Sequence, residues 1–158
     1  MTGMRCGIGY DTHRLEAGRK LVLGGVEIPS PRGPVSYSDG DVLSHAIVDA
    51  LLGAANLGDI GRHFPDSDPR WKGVSSRVFL EEVRQQLATR GLRIVNIDAV
   101  VVLDEPRLTP HIAAMSKNIA TALGIEPAQV SVKAKTSEGT SPMLASAHAV
   151  ALLASENS

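Results

Sequence analysis

Apolar residues recur at helical spacing in three stretches of the chain, residues 41–55, 75–90 and 110–123. Intervals of three and four residues place these side chains on one face, so each stretch is predicted to form an amphipathic helix. Gly91 and Gly124 follow the second and third stretches, where glycine commonly ends a helix. Ser38 or Asp39 is expected to cap the amino terminus of the first helix.

Shorter apolar stretches between the helices predict β-strands. They are residues 5–10, 20–23, 26–28, 94–103, 130–135 and 144–153. Gly24-Gly25, between the second and third of these, suits a tight turn and predicts a hairpin. The fourth stretch is almost continuously apolar, which predicts a strand covered on both faces. Stretches rich in polar residues, glycine or proline are expected to be loops, namely residues 11–19, 30–40 and 57–72.

The alternation of strands and helices indicates an α/β or α+β layered sheet. The 158 residues contain no internal repeat, low-complexity tract or linker, so residues 1–158 are predicted to form a single domain. Apolar residues make up 43% of the chain and charged residues 21%, a balance that is typical of a folded globular protein and excludes a disordered one.

Charge and cysteine content narrow the function further. The 16 Lys and Arg residues against 17 Asp and Glu give a formal net charge of −1, which lacks the basic excess of a nucleic-acid-binding protein. No apolar run reaches the ~18–20 residues of a transmembrane helix, and no signal-peptide core is evident. Cys6 is the only cysteine, which excludes an internal disulfide and fits a reducing compartment. We therefore expect a cytoplasmic protein without nucleic-acid or membrane partners.

Two short patterns carry candidate metal chemistry. Asp11 and His13 are two residues apart, so in an extended segment both side chains point to the same side. Asp41, His45 and Asp49 recur every four residues and share one helix face. Each pattern alone is also compatible with a solvated surface. Together, Asp11, His13 and His45 would supply three ligands and leave one position open, as in a catalytic zinc site.

Two further segments suit phosphate or polyol ligands. Residues 57–68 combine glycines with Asp59 and Asp66, a composition that fits a polyol or an oxyanion but also an ordinary turn. Residues 133–138 end a predicted strand with lysines, hydroxyls and Glu138, which suit phosphate oxygens and a hard divalent cation, or a solvated strand end. The sequence contains no P-loop, GxGxxG, serine nucleophile elbow or CxxC pair, which argues against the corresponding kinases, dehydrogenases and hydrolases.

In their order along the chain, these segments resemble the 2-C-methyl-D-erythritol 2,4-cyclodiphosphate synthase family. The resemblance covers about residues 5–153, almost the whole chain. It is carried by Asp11-Thr-His13, Ser38-Asp-Gly-Asp-Val-Leu-Ser-His45, Leu57-Gly-Asp-Ile-Gly with Phe64-Pro-Asp-x-Asp68, Pro110-His-Ile, and Lys133-Ala-Lys-Thr-Ser-Glu138. Each motif alone is modestly specific, whereas the ordered set is strong.

The resemblance implies a compact subunit with a ferredoxin-like layered sheet, helices packed on one face, and a homotrimer with active sites between subunits. It also implies a step of the non-mevalonate isoprenoid pathway, in which 4-diphosphocytidyl-2-C-methyl-D-erythritol 2-phosphate is cyclised. The 2-phosphate attacks the β-phosphorus of the substrate's own diphosphate, CMP leaves, and the 2,4-cyclodiphosphate forms. The enzyme would be a phosphorus–oxygen lyase acting on a small molecule that carries a cytidine diphosphate group.

The resemblance further implies roles for individual residues. Zn²⁺ would be held by Asp11, His13 and His45, and a Mg²⁺ or Mn²⁺ ion that bridges the substrate phosphates would be held by Glu138. Asp49 and Thr136 would be catalytic. The substrate-binding residues would be Ser38, Asp59, Ile60, Gly61, Phe64, Asp66, Thr136 and Glu138. The cytidine pocket would be lined from a neighbouring subunit by Leu103, Arg107, Leu108, Ala134 and Lys135.

The sequence departs from the family pattern at several positions. Tyr37 stands where histidine is usual, and this difference removes a phosphate contact. Arg107 stands where lysine is common, and Lys135 stands where a small hydroxyl residue is common. The glycine-rich stretch after Glu138 is shortened to Gly139-Thr-Ser-Pro-Met, so its usual Arg and Glu have no counterpart. In the family that stretch lines a channel along the trimer axis. We therefore predict that the channel is altered or lost and that the metal site is retained.

Two other functions remain open from the sequence. A metal-dependent phosphohydrolase would use the same three ligands to activate water and would release a linear phosphate product. A non-catalytic trimeric nucleotide-binding protein would need no such ligands, and the presence of all three together with Glu138 argues against it.

Overall fold

A computed structural model describes residues 3–155. Within that range the strands are β1 (Met4–Ala17), β2 (Leu21–Leu23), β3 (Val26–Ile28), β4 (Arg32–Pro34), β5 (Leu92–Val102), β6 (Val130–Lys135) and β7 (Leu144–Ser155). The helices are α1 (Val42–Ala54), α2 (Ile60–His63), α3 (Ser76–Ala88) and α4 (Ile112–Leu123). Single turns of 3₁₀-helix lie at Pro69–Trp71, Thr109–His111 and Pro127–Gln129. None of the helices in the described range has both the length and the apolar character needed to cross a bilayer.

Five strands form one mixed sheet in the order β4-β1-β7-β5-β6, and β2 pairs with β3 in the predicted hairpin. β1 and β5 both run antiparallel to β7, whereas β5 and β6 are parallel neighbours. The long elements follow the order β-α-α-β-α-β-β along the chain. That order differs from the β-α-β-β-α-β order of the ferredoxin-like motif, so the layered sheet is confirmed but the ferredoxin-like topology is not.

The three long helices cover one face of the sheet. Along β7, Ala147 and Ala149 are buried against the helices, whereas His148 and Val150 point to the opposite face and are exposed. The same alternation along β5 leaves Val100 only partly buried on the helix-free face. The prediction that this strand is covered on both faces is therefore wrong for a single chain, because the helices pack on one side only.

Glycines let α1 lie directly on β1. A Cβ atom at Gly9 would collide with the carbonyl oxygen of Ala46, and one at Gly7 would collide with that of Ala50. Any larger residue at either position would push the helix away from the strand. This close approach places the amino-terminal half of α1 over the middle of β1.

Several predicted boundaries are corrected by long-range pairing. β1 continues through residues 11–17, predicted to be loop, because these residues extend its ladder with β7 and then pair with β4. β4 itself lies within residues 30–40, and α2 lies within residues 57–72, which are also predicted to be loops. The cap of α1 is Asp41, whose carboxylate accepts the Ser44 N–H, rather than Ser38 or Asp39.

Candidate metal centre and substrate cavity

Two strand residues and one helix residue meet at the centre of the candidate site. Asp11 and His13 point to the helix-covered face of β1, because they alternate in step with the buried Gly7 and Gly9. α1 lies on that face and presents His45, which is 34 residues from Asp11 in sequence. The predicted convergence of Asp11, His13 and His45 is therefore present in the structure.

The distances are short enough for a shared cation. The ligand atoms of the three side chains all lie within 4.8 Å of one another. Asp11 Oδ2 is 2.9 Å from His45 Nδ1, a hydrogen bond, and 3.1 Å from His13 Nε2. The His13 ring is not angled for a hydrogen bond, so its buried Nε2 has no hydrogen-bond partner among the described residues. A buried nitrogen in this state is suited to a further ligand.

The donor set fits a zinc ion. Imidazole nitrogen and carboxylate oxygen are both common zinc ligands, and three protein ligands leave a fourth tetrahedral position open. Bonds of about 2.0–2.2 Å at tetrahedral angles would separate neighbouring ligand atoms by roughly 3.3 Å. The separations of 2.9 and 3.1 Å from Asp11 to the two imidazoles need only a small adjustment to match that value, and the two imidazole nitrogens lie within 4.8 Å of each other.

The same three side chains perturb one another's protonation. Burial alone would raise the pKa of Asp11, but the neighbouring His13 and His45 outweigh it and lower the pKa to about 2. Burial alone would lower the pKa of His45, but the hydrogen bond and negative charge of Asp11 raise it above the usual 6.5. In the metal-free chain Asp11 is therefore ionised, and His45 keeps its proton to a higher pH than a free imidazole does.

A cavity of about 680 Å³ opens beside the three ligands. Its wall includes five residues that the resemblance implies bind substrate, namely Ser38, Ile60, Gly61, Phe64 and Asp66. Tyr37 also lines the cavity, and its hydroxyl donates to the backbone carbonyl of Asp68 at 3.4 Å. Concave sites of this size suit small-molecule ligands. The structure thus brings these side chains to one place, while their individual roles stay predictions.

Asp49 and Asp59 lie at the edge of this region and not in the cavity wall. Asp49 Oδ1 accepts the Ile60 N–H at 2.7 Å, which ties the start of α2 to α1. Burial raises the pKa of Asp49 despite this hydrogen bond. Asp59 caps α2 by accepting the Arg62 N–H at 3.0 Å. Both aspartates therefore hold the segment that contains Ile60 and Gly61.

Asp41 lies outside the site. Its carboxylate is fully buried and accepts the N–H groups of Gly24 and Gly25, each at 2.9 Å, together with the N–H and hydroxyl of Ser44. Burial raises the pKa of Asp41. The alternative of a solvated helix face is wrong, because both Asp41 and His45 are buried.

The remaining predicted residues form a second group at and beyond the carboxyl ends of β5 and β6. They are Leu103, Arg107, Leu108, Ala134, Lys135, Thr136 and Glu138. Leu103 and Leu108 are buried in the core, whereas Thr136 and Glu138 are exposed and joined by a 3.1 Å hydrogen bond. None of the seven lines the cavity beside the metal ligands. A single chain therefore does not bring the two groups together.

Several residues of the site were not predicted from the sequence, and four of them contact a predicted site residue directly. Trp71 and Phe79 form an aromatic wall with Phe64, whose ring centroid is 5.2 Å from that of Trp71 and 4.4 Å from that of Phe79. Asp39 and Ser76 surround the far side of the His45 ring. Asp39 lies within a recognised motif, but Ser76 reaches His45 only through the packing of α3 on α1, which no local pattern reports.

Known proteins match the chain over nearly its whole length. A family model of the YgbB family matches residues 4–154. A protein of Syntrophomonas wolfei named 2-C-methyl-D-erythritol 2,4-cyclodiphosphate synthase is 57% identical over 154 residues, which cover 95% of this chain and 98% of its own. A protein of Gloeobacter violaceus with the same name is 56% identical over 154 residues, or 95% and 94% of the two chains.

Solved structures share the fold. A CDP-bound form of 2C-methyl-D-erythritol-2,4-cyclodiphosphate synthase has a TM-score of 0.90 and 46% identity, covering 94% of this chain and 99% of its own. A CDP complex of Plasmodium falciparum IspF has a TM-score of 0.87 and 34% identity, covering 99% of both chains. The bifunctional IspDF of Campylobacter jejuni matches with a TM-score of 0.93 and 34% identity, over 98% of this chain and 43% of its own.

Proposed function

The chain belongs to the YgbB family, and on this basis we propose that it is an enzyme that cyclises 4-diphosphocytidyl-2-C-methyl-D-erythritol 2-phosphate to the 2,4-cyclodiphosphate in isoprenoid biosynthesis. CMP is the leaving group, which makes the reaction that of a phosphorus–oxygen lyase. The convergence of Asp11, His13 and His45 beside a cavity, in a chain 57% identical to a synthase of that name, carries the proposal. Two similar structures with bound CDP support a substrate that carries a cytidine diphosphate group.

The reaction needs positive charge, because the attacking phosphate and the attacked diphosphate are both anionic. At ~5 Å and an effective dielectric constant of ~20, each pair of unit charges repels by about 3 kcal/mol. Asp11, His13 and His45 would hold a zinc ion, and its positive charge beside the diphosphate would reduce this repulsion. No water has to be activated, so the chain needs no dedicated general base.

The protein's own groups bind and orient the substrate around these ligands. The Ser38 hydroxyl lies in the cavity wall, 3.2 Å from His45 Nε2. We assign it to binding the reacting phosphate. The Ile60 N–H donates to Asp49 and so holds the backbone at Ile60 in place. We propose that this backbone faces the methylerythritol hydroxyls and that Asp49 acts by positioning it. Phe64 packs edge-on against Trp71 and gives that side of the cavity an aromatic wall.

We assign the second divalent cation, Mg²⁺ or Mn²⁺, to Glu138, with Thr136 beside the same phosphates. Both side chains are exposed and adjacent, which leaves them accessible to a substrate. Hard cations prefer carboxylate and phosphate oxygens, the ligands that such a site would offer.

A homotrimer would complete the site. The helix-free face of the sheet exposes Ile8 by 75%, Tyr10 by 53% and Val150 by 45%, with Ile8 and Val150 paired across β1 and β7. Large apolar side chains grouped on a surface are typical of an interface. The trimer is also supported by a second observation: within one chain, the cytidine-pocket residues are separate from the metal ligands. The cytoplasmic location stays a prediction.

Phosphorus-31 NMR of the product tests this function. The purified protein, supplied with zinc, magnesium and the substrate, should produce the cyclic diphosphate and CMP in equal amounts. His45→Ala should reduce turnover by more than about 100-fold, beyond the usual effect of losing an outer-shell partner. Arg90→Ala is the surface control, because Arg90 is exposed beyond the end of α3, outside the cavity and outside the motifs of the resemblance, so its loss should leave turnover unchanged.

The alternative functions are distinguished by the same experiment. A linear phosphate product would indicate a phosphohydrolase, and binding of CDP without turnover would indicate a nucleotide-binding protein. Either result, or full turnover by His45→Ala, would overturn the proposal.

A further inference from the structure

A hydrogen-bonded cluster lies behind His45, on the side of the ring opposite Asp11. His45 Nε2 is 2.8 Å from the hydroxyl of Ser76, the first residue of α3, and that hydroxyl is 2.5 Å from Asp39 Oδ1. Asp39 Oδ2 accepts the Ser76 N–H at 2.8 Å, and Asp39 Oδ1 also accepts the Asp41 N–H at 3.1 Å. Ser76 is fully buried, so bulk water does not compete for its hydroxyl.

The direction of each hydrogen bond follows from Asp39. A carboxylate only accepts, so the Ser76 hydroxyl donates its proton to Asp39 and offers its lone pairs to His45. His45 Nε2 therefore carries a proton and donates to Ser76. Nδ1 donates to Asp11 in the metal-free chain and is the ring nitrogen that would exchange its proton for a cation.

We propose that Ser76 and Asp39 are positioning residues of the metal centre, which hold the His45 ring with Nε2–H directed at Ser76 and Nδ1 directed at the metal position. This inference rests on the proposed function, because it requires the three-ligand centre. Asp39 Oδ1 also lies 3.8 Å from His45 Nε2, and a carboxylate behind an imidazole makes the opposite nitrogen a better ligand. The Ser38 hydroxyl makes a longer contact with the same nitrogen, at 3.2 Å, and belongs to the cavity wall.

The chain contains a matched control on another side of α1. Ser44 is buried next to His45 in sequence, and its hydroxyl donates to the buried carboxylate of Asp41 at 2.8 Å. That carboxylate faces Gly24 and Gly25 and not the site. Ser44→Ala thus removes a buried serine–aspartate hydrogen bond of the same kind without removing a contact to the His45 ring.

Zinc affinity of the purified full chain, measured by competition with a chelator, tests the proposal. Ser76→Ala and Asp39→Asn should each bind zinc about 10–100-fold more weakly than the unsubstituted protein, the usual loss for such partners. The double variant should lose little more zinc affinity than either single variant, because both substitutions break the same chain of hydrogen bonds from Asp39 through Ser76 to His45. Ser44→Ala should bind zinc as the unsubstituted protein does.

A spectroscopic readout separates positioning from general loss of stability. In zinc-loaded protein labelled with ¹⁵N-histidine, NMR should show His45 as a single tautomer with a hydrogen-bonded proton on Nε2. Ser76→Ala should lose that proton signal and leave the His13 signals in place, and Ser44→Ala should keep both.

The outcomes distinguish this inference from the function on which it rests. If the unsubstituted protein does not bind zinc, both the metal centre and the positioning role are overturned. If it binds zinc and Ser76→Ala or Asp39→Asn binds equally well, only the positioning role is overturned. An equal loss of affinity in Ser44→Ala and Ser76→Ala would also overturn it.

Discussion

Asp11 contacts two imidazoles at once, and this affects the stability of the fold as well as the site. Its pKa is about 2 in the folded chain and 3.8 in an unperturbed side chain. A carboxyl group whose pKa is lowered on folding stabilises the native state above its unfolded pKa. That stabilisation is lost as the pH falls through the folded value.

We expect this loss to be measurable in metal-free protein, kept free of metal with a chelator. Between about pH 4 and pH 2, the free energy of unfolding should lose on the order of 2 kcal/mol through Asp11. Asp11→Asn cannot titrate and should lack this part of the acid dependence, so its difference from the unsubstituted protein should shrink over the same range. Urea denaturation at a series of pH values measures the free energy of unfolding of both proteins. A difference between them that stays constant from about pH 4 to pH 2 would contradict the ion pair.

The three candidate metal ligands could be predicted from the sequence, because an i, i+2 pair on a strand and a histidine on a helix are recognisable from neighbouring residues. The outer partners of His45 were not visible in this way. Ser76 is 31 residues from His45 in sequence and has no unusual neighbours. Its contact exists only because α3 packs against α1, which is a tertiary property.

At the scale of elements, the contact of α1 with β1 decides whether the ligands meet. Gly9→Ala would place a methyl group against the Ala46 carbonyl and force the two elements apart. We expect a loss of about 1–3 kcal/mol in the free energy of unfolding. Zinc affinity should fall as well, because His45 would move away from Asp11.

Gly53→Ala is the matched control for this prediction. Gly53 also lies in the contact region, but the nearest atom to an added Cβ would be the Ile8 carbonyl oxygen, 3.8 Å away. Alanine in a helix is favoured over glycine by about 1 kcal/mol, so this variant should be as stable as the unsubstituted protein or more so. Denaturation measures the stability of both variants, and chelator competition measures their zinc affinity. A Gly9→Ala variant with unchanged stability and zinc affinity would show that the close contact is not required.

Local patterns predicted the helices and the hairpin correctly, since periodicity and Gly24-Gly25 act within a few residues. The second half of β1 was missed because its polar residues have the composition of a loop. Those residues become strand by pairing with positions 144–147, far along the chain. The prediction that β5 is covered on both faces was also wrong, since an apolar run does not show which face of the strand a helix covers.

At the scale of the whole molecule, the proposed trimer makes the helix-free face testable. Ile8→Glu places a charge on a side chain that is 75% exposed in one chain and would be buried between subunits. It should convert the trimer to monomers in sedimentation velocity and abolish turnover. Zinc affinity per chain should be retained, because all three ligands belong to one chain.

Val78→Glu is the control for this assembly prediction. Val78 is 38% exposed on α3, on the helix-covered side of the molecule, so its charge should leave both assembly and turnover unchanged. An Ile8→Glu variant that still sediments as a trimer would contradict the proposed interface.

Local sequence patterns carry less information about subunit assembly than about helices, strands or the metal ligands. The exposed apolar side chains alternate with buried ones along β1 and β7, so no continuous pattern separates an interface strand from an ordinary one. The segment after Glu138 illustrates the same limit. Residues 137–141 close on themselves through hydrogen bonds to Ser137, and Met143 accepts the Leu15 N–H. The altered channel along the trimer axis stays a prediction.

The placement of the three ligands on two different elements has a further consequence. A cation bound there would act as a reversible crosslink between the first strand and the first helix. Ligand that binds only the native state adds roughly 2.7 kcal/mol of stability at a free concentration one hundred times its dissociation constant. Metal supply would then set the lifetime of this protein against thermal inactivation and proteolysis, as well as its catalytic rate.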